Sequence, residues 1–201
     1  AALPAPGKEQ AAASLNALGW RTGTSGLRTR EGRTLRLTLS AAGTSHQLAA
    51  SEVARQWRAL GIDVTVEPLA EDELHDRLRQ RVFSVAIHHW TDAGADPDVF
   101  ALWHSSQAEQ GLNYAGLADT QIDRLIEDGR RAVDRDTRAR IYGELERRWV
   151  ALAPSIPLYQ PLLLYSLDDG VHPAGLDGAR LLEQPSSRFD TISDWLVEPL
   201  P

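Results

Sequence analysis

The 201-residue chain is 42% hydrophobic and carries a formal net charge of −7. That length and composition suffice for a buried core, and one domain or slightly more is expected. Basic residues are interspersed with acids, which excludes the cationic stripe that nucleic acid requires, and the lack of cysteine excludes disulfides and thiolate chemistry. The longest apolar runs are far shorter than the roughly 20 residues that cross a bilayer. Without an initiator methionine, the chain is expected to be a piece of a longer polypeptide.

Residues 35–90 alternate between two hydrophobic periods, and two less regular segments precede them. Residues 8–18 predict a short Ala-rich helix, and residues 19–33, rich in Gly and Thr, predict a loop. Beyond them, apolar residues recur first at every second position, as in a strand, and then at helical spacing. This alternation predicts strands near 35–41, 62–68 and 82–90 and helices near 45–60 and 71–80.

Strands that alternate with helices indicate parallel pairing through right-handed crossovers, and a strand that is apolar on both faces indicates helices on each side. The predicted fold class is therefore α/β, with a mixed, mainly parallel sheet and helices on both faces. Two further helices are predicted near 119–130 and 135–152. Residues 153–167 predict an extended, partly β segment interrupted by prolines, and the residues after Gly170 predict a loop-rich tail.

The stretch WTDAGADPDVF, residues 90–100, follows the third predicted strand. Ligands of open α/β sheets bind just outside the carboxyl ends of the strands, so this stretch is the candidate site. Alternation places Trp90 on the same face as His88 and places His89 on the opposite face. The simplest interpretation of "DPD" is that Asp96 caps a helix whose first residue is Pro97, with Asp98 in the first turn. Capping does not explain Asp92, because Ala-Gly-Ala follows it.

Several roles stay open for these side chains. The carboxylates could be metal ligands, acid or base groups, a clamp for a cationic ligand, or turn and cap residues, and Trp90 could line a cleft or pack in the core. A metal site assembled from His88, Asp92 and His104 has no diagnostic spacing, and both histidines fit packing roles as well. Catalysis by Ser, His and Asp has no support, because the chain has no G-x-S-x-G elbow.

Specific motifs occur in a recognisable order over nearly the whole chain. They are G-I-D-V-x-V at residues 61–66, W-x-x-x-x-x-D-P-D-x-F at 90–100, N-Y-x-G at 113–116 followed by I-D at 122–123, and A-P-x-I-P-L-Y at 153–159. In these motifs and their spacing, the chain resembles the second lobe of the family 5 extracellular solute-binding proteins. Those proteins are the oligopeptide, dipeptide and nickel receptors of ABC importers.

The resemblance implies one lobe of a type II periplasmic-binding-protein-like fold. Residues 1–169 would form the second, C-terminal lobe, and residues 170–201 would return to complete a first lobe that this chain lacks. The implied function is the solute-binding component of an ABC importer for a peptide or similar small solute, a monomer with no catalytic role and no cofactor. The implied partners are the solute, the importer permease and the missing N-terminal lobe. The implied location is extracellular or periplasmic, as a lipoprotein anchored through the absent N-terminus.

The resemblance also implies ligand contacts at Trp90, Asp92, Asn113 and His88. In peptide-binding members, a Trp-x-x-Asp element lines the cleft, and its Asp pairs with the α-ammonium group of the ligand. Here the third residue after Trp90 is Ala93, and Asp92 comes one place early. A shift of one residue along an extended segment turns the side chain to the other face.

Two other functions are weighed against the transport receptor. One is a ligand-sensing domain of a transcriptional regulator with the same fold. The other is a metal-dependent enzyme, which could draw only on His88, Asp92 and His104. The upstream sequence would separate these functions, because a signal peptide with a lipidated cysteine indicates the receptor and a helix-turn-helix indicates the regulator.

Overall fold

The computed structural model describes residues 7–90, 98–159, 167–174, 189 and 191–198. These residues fall into two compact units. The first unit comprises residues 7–90 and 99–154, and the second comprises the remaining described residues. The division predicted at residue 169 stays a prediction. Within the described ranges, no helix combines the length and apolar composition that a membrane span requires.

The first unit contains six helices and six strands in its described part. The helices are α1 (Lys8–Ala17), α2 (Thr44–Arg58), α3 (Glu71–Gln80), α4 (Phe100–Trp103), α5 (Thr120–Arg131) and α6 (Arg135–Leu152). The strands are β1 (Arg21–Thr22), β2 (Arg28–Arg30), β3 (Arg33–Thr34), β4 (Arg36–Ala42), β5 (Asp63–Leu69) and β6 (Val85–Ile87). A short 3-10 helix spans Ser105–Gln107. The predicted order of strands and helices over residues 35–90 is confirmed.

The central sheet has the strand order β5–β4–β6, and all its pairs are parallel, as predicted. β4 pairs with β5 along its whole length, whereas it pairs with β6 over only three residues. β6 is shorter than predicted because its last residue, Ile87, pairs with Ala41, and β4 ends at the next residue, Ala42. His88–Trp90 therefore extend beyond the sheet, where no strand of the described residues pairs with them.

Helices cover both faces of the central sheet. On one face, Leu39 and Ala41 of β4 pack in a cluster with Ala50 and Ala54 of α2, all of them buried. On the other face, Ala42 packs in a cluster with Leu74 and Leu78 of α3. Alternate residues of β4 thus enter two separate cores, which is the two-residue period of a strand covered on both sides.

Helices α5 and α6 pack together through buried Ile122, Ile126 and Leu145. The helices approach closely at Gly129, where an added Cβ would lie 2.7 Å from the Tyr142 ring. Side-chain caps fix where each helix begins. The carboxylate of Asp119 accepts hydrogen bonds from the backbone N–H groups of residues 121 and 122, and that of Asp134 accepts one from residue 137.

Two predictions about local structure are wrong. The stretch 19–33, predicted as a loop, forms the antiparallel sheet β1–β2–β3. Its strands are too short to show a period, but Glu31 and Gly32, both with positive φ, form the tight turn of a hairpin. The helix predicted to begin at Pro97 begins at Phe100, with Val99 at the N-cap, so Asp98 precedes the first turn. The proposed cap Asp96 lies outside the described residues.

The second unit has little regular structure in its described part. Strands β7 (Val171–His172) and β8 (Leu196–Val197) form an antiparallel pair, and a 3-10 helix spans Ile192–Asp194. Residues 155–159 form no strand, and the rest of the extended segment predicted to residue 167 lies mostly outside the described residues. The loop-rich character predicted after Gly170 agrees with these short elements.

Candidate functional site

Three aromatic rings meet beyond the carboxyl end of the central sheet. His88 and Trp90 follow β6, and Tyr114 comes from the loop between the 3-10 helix and α5. The Trp90 and Tyr114 rings stack with centroids 5.5 Å apart and planes inclined by 16°. The His88 ring meets both edge-on, at 4.7 Å from Trp90 and 5.5 Å from Tyr114. We call these three residues the aromatic cluster.

The aromatic cluster is anchored on one side and open on the other. Tyr114 packs against the buried core formed by Ala42, Leu74 and Leu78. Trp90 is 38% exposed, which is unusual for so large an apolar side chain held in ring contacts. The structure therefore places an accessible aromatic surface where the sheet topology predicts ligand binding.

His88 is the polar member of the aromatic cluster. Burial lowers the pKa of its imidazole, and nearby His89, His75 and His46 lower it further, against a backbone hydrogen bond at His89 that raises it. The ring is consequently neutral at pH 7, with one nitrogen able to donate and the other able to accept a hydrogen bond. A neutral, half-buried imidazole suits the recognition of a polar solute without introducing a charge.

His89 has different ring partners from His88, as the predicted alternation requires. Its ring lies 5.1 Å from that of His46, at the start of α2. The Nδ1 atom of His46 lies 3.0 Å from the carbonyl oxygen of Ala42. The adjacent histidines therefore do not share one ligand set.

Asn113, predicted as a ligand contact, lies in the interior of this lobe. Its side chain is fully buried, and its Nδ2 atom donates to the carbonyls of His104 (3.2 Å) and Leu117 (2.8 Å). Its Oδ1 atom accepts from the backbone N–H of Leu117 at 3.0 Å. Direct contact with a solute needs an accessible amide, so in this structure Asn113 instead holds the loop that carries the next residue, Tyr114. Sequence reasoning missed Tyr114, although the N-Y-x-G motif contains it.

His104 and Asp92 are the remaining residues of the candidate metal site. Asp92 lies outside the described residues. His104 stacks on Phe100 with ring centroids 4.3 Å apart, and its Nδ1 atom lies 2.8 Å from the Ser106 hydroxyl. Among the described residues, no three His, Asp or Glu side chains converge in a way that could hold a metal ion.

The parallel sheet, the helices on both its faces and the open site at its carboxyl end define a lobe of a type II periplasmic binding protein. The chain is similar to the oligopeptide-binding protein AppA of Bacillus subtilis, solved with a nonapeptide, with a TM-score of 0.75 and 20% identity over 98% of this chain and 40% of that chain. It is also similar to DppA of Helicobacter pylori, solved with the peptide STSA, with a TM-score of 0.70 and 20% identity over 95% of this chain and 34% of that chain.

The family is shown by sequence. The model of bacterial extracellular solute-binding proteins, family 5 middle, matches residues 3–111, more than half of the chain. The chain belongs to this family. It is 30% identical over 145 residues to Protein XP55 of Streptomyces lividans, covering 68% of this chain and 26% of that protein. The chain spans about a quarter of the length of the curated relatives it matches.

Proposed function

We propose that this chain supplies one lobe of the solute-binding protein of an ABC importer and that the aromatic cluster forms one wall of its solute cleft. The observation that carries the proposal is the half-exposed ring surface of Trp90, held against Tyr114 and His88 beyond the carboxyl ends of parallel strands. Crevices at this end of an open α/β sheet are the usual ligand sites of such folds. Two similar structures, AppA and DppA, were solved with bound peptides.

The proposed solute is a peptide or a similar small molecule. The Trp90 ring provides apolar contact area at a small cost in side-chain entropy, and the neutral His88 provides a hydrogen bond. Asp92 is proposed as the partner of a cationic group on the solute, such as a peptide amine. In this proposal Asn113 acts indirectly, by holding Tyr114.

The proposal extends to the whole protein and its partners. A second lobe would close over the aromatic cluster, and the closed protein would deliver its solute to an importer permease. The family description supports an extracellular site of action. Anchoring as a lipoprotein and a monomeric state are parts of the same proposal.

One lobe alone offers a single open wall. A small ligand has to offset roughly 4–15 kcal/mol of lost translational and rotational freedom, and binding sites do so by burying most of the ligand surface. We therefore expect the 201-residue chain to bind solutes very weakly and the complete two-lobed protein to bind them well.

Calorimetry on the isolated chain and on the complete protein tests this function against short peptides, sugars and nickel chelates. In the complete protein, Trp90→Ala should weaken binding about 10- to 100-fold, because central aromatic anchors carry much of the binding energy. Trp20→Ala is the matched control, since Trp20 packs against Arg30 and not in the aromatic cluster. Asp92→Asn should weaken the binding only of solutes that carry a free amine. Micromolar binding by the isolated chain, or unchanged binding by Trp90→Ala, contradicts the proposal.

A further inference from the structure

Arg81 occupies a strained position at the end of α3. Its backbone is left-handed, with φ of 60°, which is uncommon for a residue other than glycine. Its Nη1 atom donates to the carbonyl of Leu78 at 2.7 Å, so the side chain caps the helix that it follows. In a left-handed position without a function, glycine would be the less strained residue.

The same guanidinium group reaches the loop that carries Tyr114. Its Nε atom donates to the carbonyl of Ala108 and its Nη2 atom to the carbonyl of Gly111, each at 2.9 Å. The loop is tight at this point, because a Cβ on Gly111 would lie 2.7 Å from the Cβ atom and 2.9 Å from the Cα atom of Gln107. Arg81 thus joins the end of α3 to a loop segment that has little freedom to move.

The guanidinium also contacts the aromatic cluster directly. Its central carbon lies 5.0 Å from the centroid of the Tyr114 ring, within the range of a cation–π interaction. Asn113 holds the loop on both sides of Tyr114, through the carbonyls of His104 and Leu117. Tyr114 is therefore held at its backbone by Asn113 and at its ring by Arg81.

We infer that Arg81 is a positioning residue of the proposed cleft wall: it orients Tyr114, and through that ring it sets the face that Trp90 presents to the solute. The inference rests on the proposed function of the aromatic cluster. Arg81 needs no contact with the solute for this role. One planar group makes both the loop hydrogen bonds and the ring contact, so its removal releases the loop and the ring together.

Three variants separate orientation from folding. Arg81→Gly removes the side chain but suits the left-handed backbone, so the chain should still fold. Arg81→Lys keeps the positive charge but cannot donate to Ala108 and Gly111 in the fork geometry of a guanidinium. Arg79→Gln is the matched control, because Arg79 lies in the last turn of α3, its side chain is 68% exposed, and it pairs only with Asp76 among the described contacts of its side chain.

NMR spectra of the 201-residue chain report the orientation without any solute. Stacking on Trp90 shifts the Tyr114 ring signals, and we expect these shifts to be lost in Arg81→Gly, reduced in Arg81→Lys and kept in Arg79→Gln. The ring signals of Tyr142, which packs on Gly129, are the internal reference for a folded chain. Unchanged Tyr114 signals in a folded Arg81→Gly or Arg81→Lys variant would overturn the inference.

Binding by the complete protein gives the second measurement. Arg81→Gly should weaken binding about tenfold for the same solutes whose binding Trp90→Ala weakens. Arg81→Lys should restore part of this affinity. Unchanged binding alongside altered Tyr114 signals would overturn the role of Arg81 in the cleft wall. If the unmodified complete protein binds no peptide, sugar or chelate, the proposed function fails, and the NMR spectra still decide whether Arg81 orients Tyr114.

Discussion

The polar and aromatic side chains at the two ends of the central sheet differ in burial. At the amino end, Arg28 is only 4% exposed, and its guanidinium donates to the carbonyls of Leu60 (2.6 Å) and Trp20 (2.8 Å) and to the Oδ1 atom of Asn16 (2.9 Å). At the carboxyl end, the rings of the aromatic cluster contact one another, and Trp90 remains accessible. A buried guanidinium fills the amino end, whereas the aromatic side chains at the carboxyl end keep an exposed surface.

This difference separates structural from functional polar groups. Burying a charge costs free energy unless hydrogen bonds satisfy it, so the three hydrogen bonds of the Arg28 guanidinium indicate a structural role. Residues beyond the end of a strand lie outside the backbone pairing of the sheet, so their side chains can be available for binding. Substitutions at the two ends should therefore differ in their effects on stability and on binding.

The largest expected effect is at the amino end. Arg28→Met should lower the free energy of unfolding by about 3–5 kcal/mol, because three partly buried oxygen acceptors lose a charged donor. Arg36→Met is the control, since the Arg36 side chain is 70% exposed and its bond to Asp63 is a surface ion pair, for which less than about 1 kcal/mol is expected. Urea unfolding measures both. Similar losses in the two variants would show that the buried arginine is not a closing element.

Asn113→Ala tests whether the loop that carries Tyr114, at the carboxyl end of the sheet, is held by a buried amide. Its amide makes three hydrogen bonds in a fully buried site, so we expect a loss of about 2–3 kcal/mol in unfolding free energy. Gln121→Ala, at an exposed position early in α5, should change stability by less than about 0.5 kcal/mol. Thermal unfolding compares them. An unchanged stability in Asn113→Ala would mean that the Asn113 side chain does not hold the loop.

The smallest expected effect is the pH dependence of His88. Burial, followed by the neighbouring histidines, lowers the pKa of its imidazole from the usual 6.5. Below about pH 6.5 the unfolded chain therefore takes up this proton while the folded chain does not, and stability is lost as the pH falls towards the folded pKa. His88→Gln should make the melting temperature depend less steeply on pH in this range. An equally steep profile for His88→Gln would refute this prediction.

Much of the fold was readable from local sequence patterns. The two-residue period of β4, the helical spacing of α2 and the acid-rich first turn of α3 each describe contacts between near neighbours in the chain, so they predict elements within a few residues. Parallel pairing follows because helices of this length must cross over between strands. The family motifs over the same residues led to the lobe architecture, which the structural comparisons confirm.

Tertiary contacts decided what the local patterns could not show. Arginine side chains are usually exposed, so the sequence predicts a surface position for Arg28. Only its hydrogen bonds to residues up to 32 positions away explain its burial. Asn113 matched a family motif, yet whether such an amide faces a cleft or holds a loop depends on how the loop folds around it, which the motif does not show. Tyr114 joins Trp90 from 24 positions along the chain because β6 ends early and a separate loop returns over α3. Sequence periodicity records only which side of an element is buried, whereas a binding site depends on which distant side chains meet there.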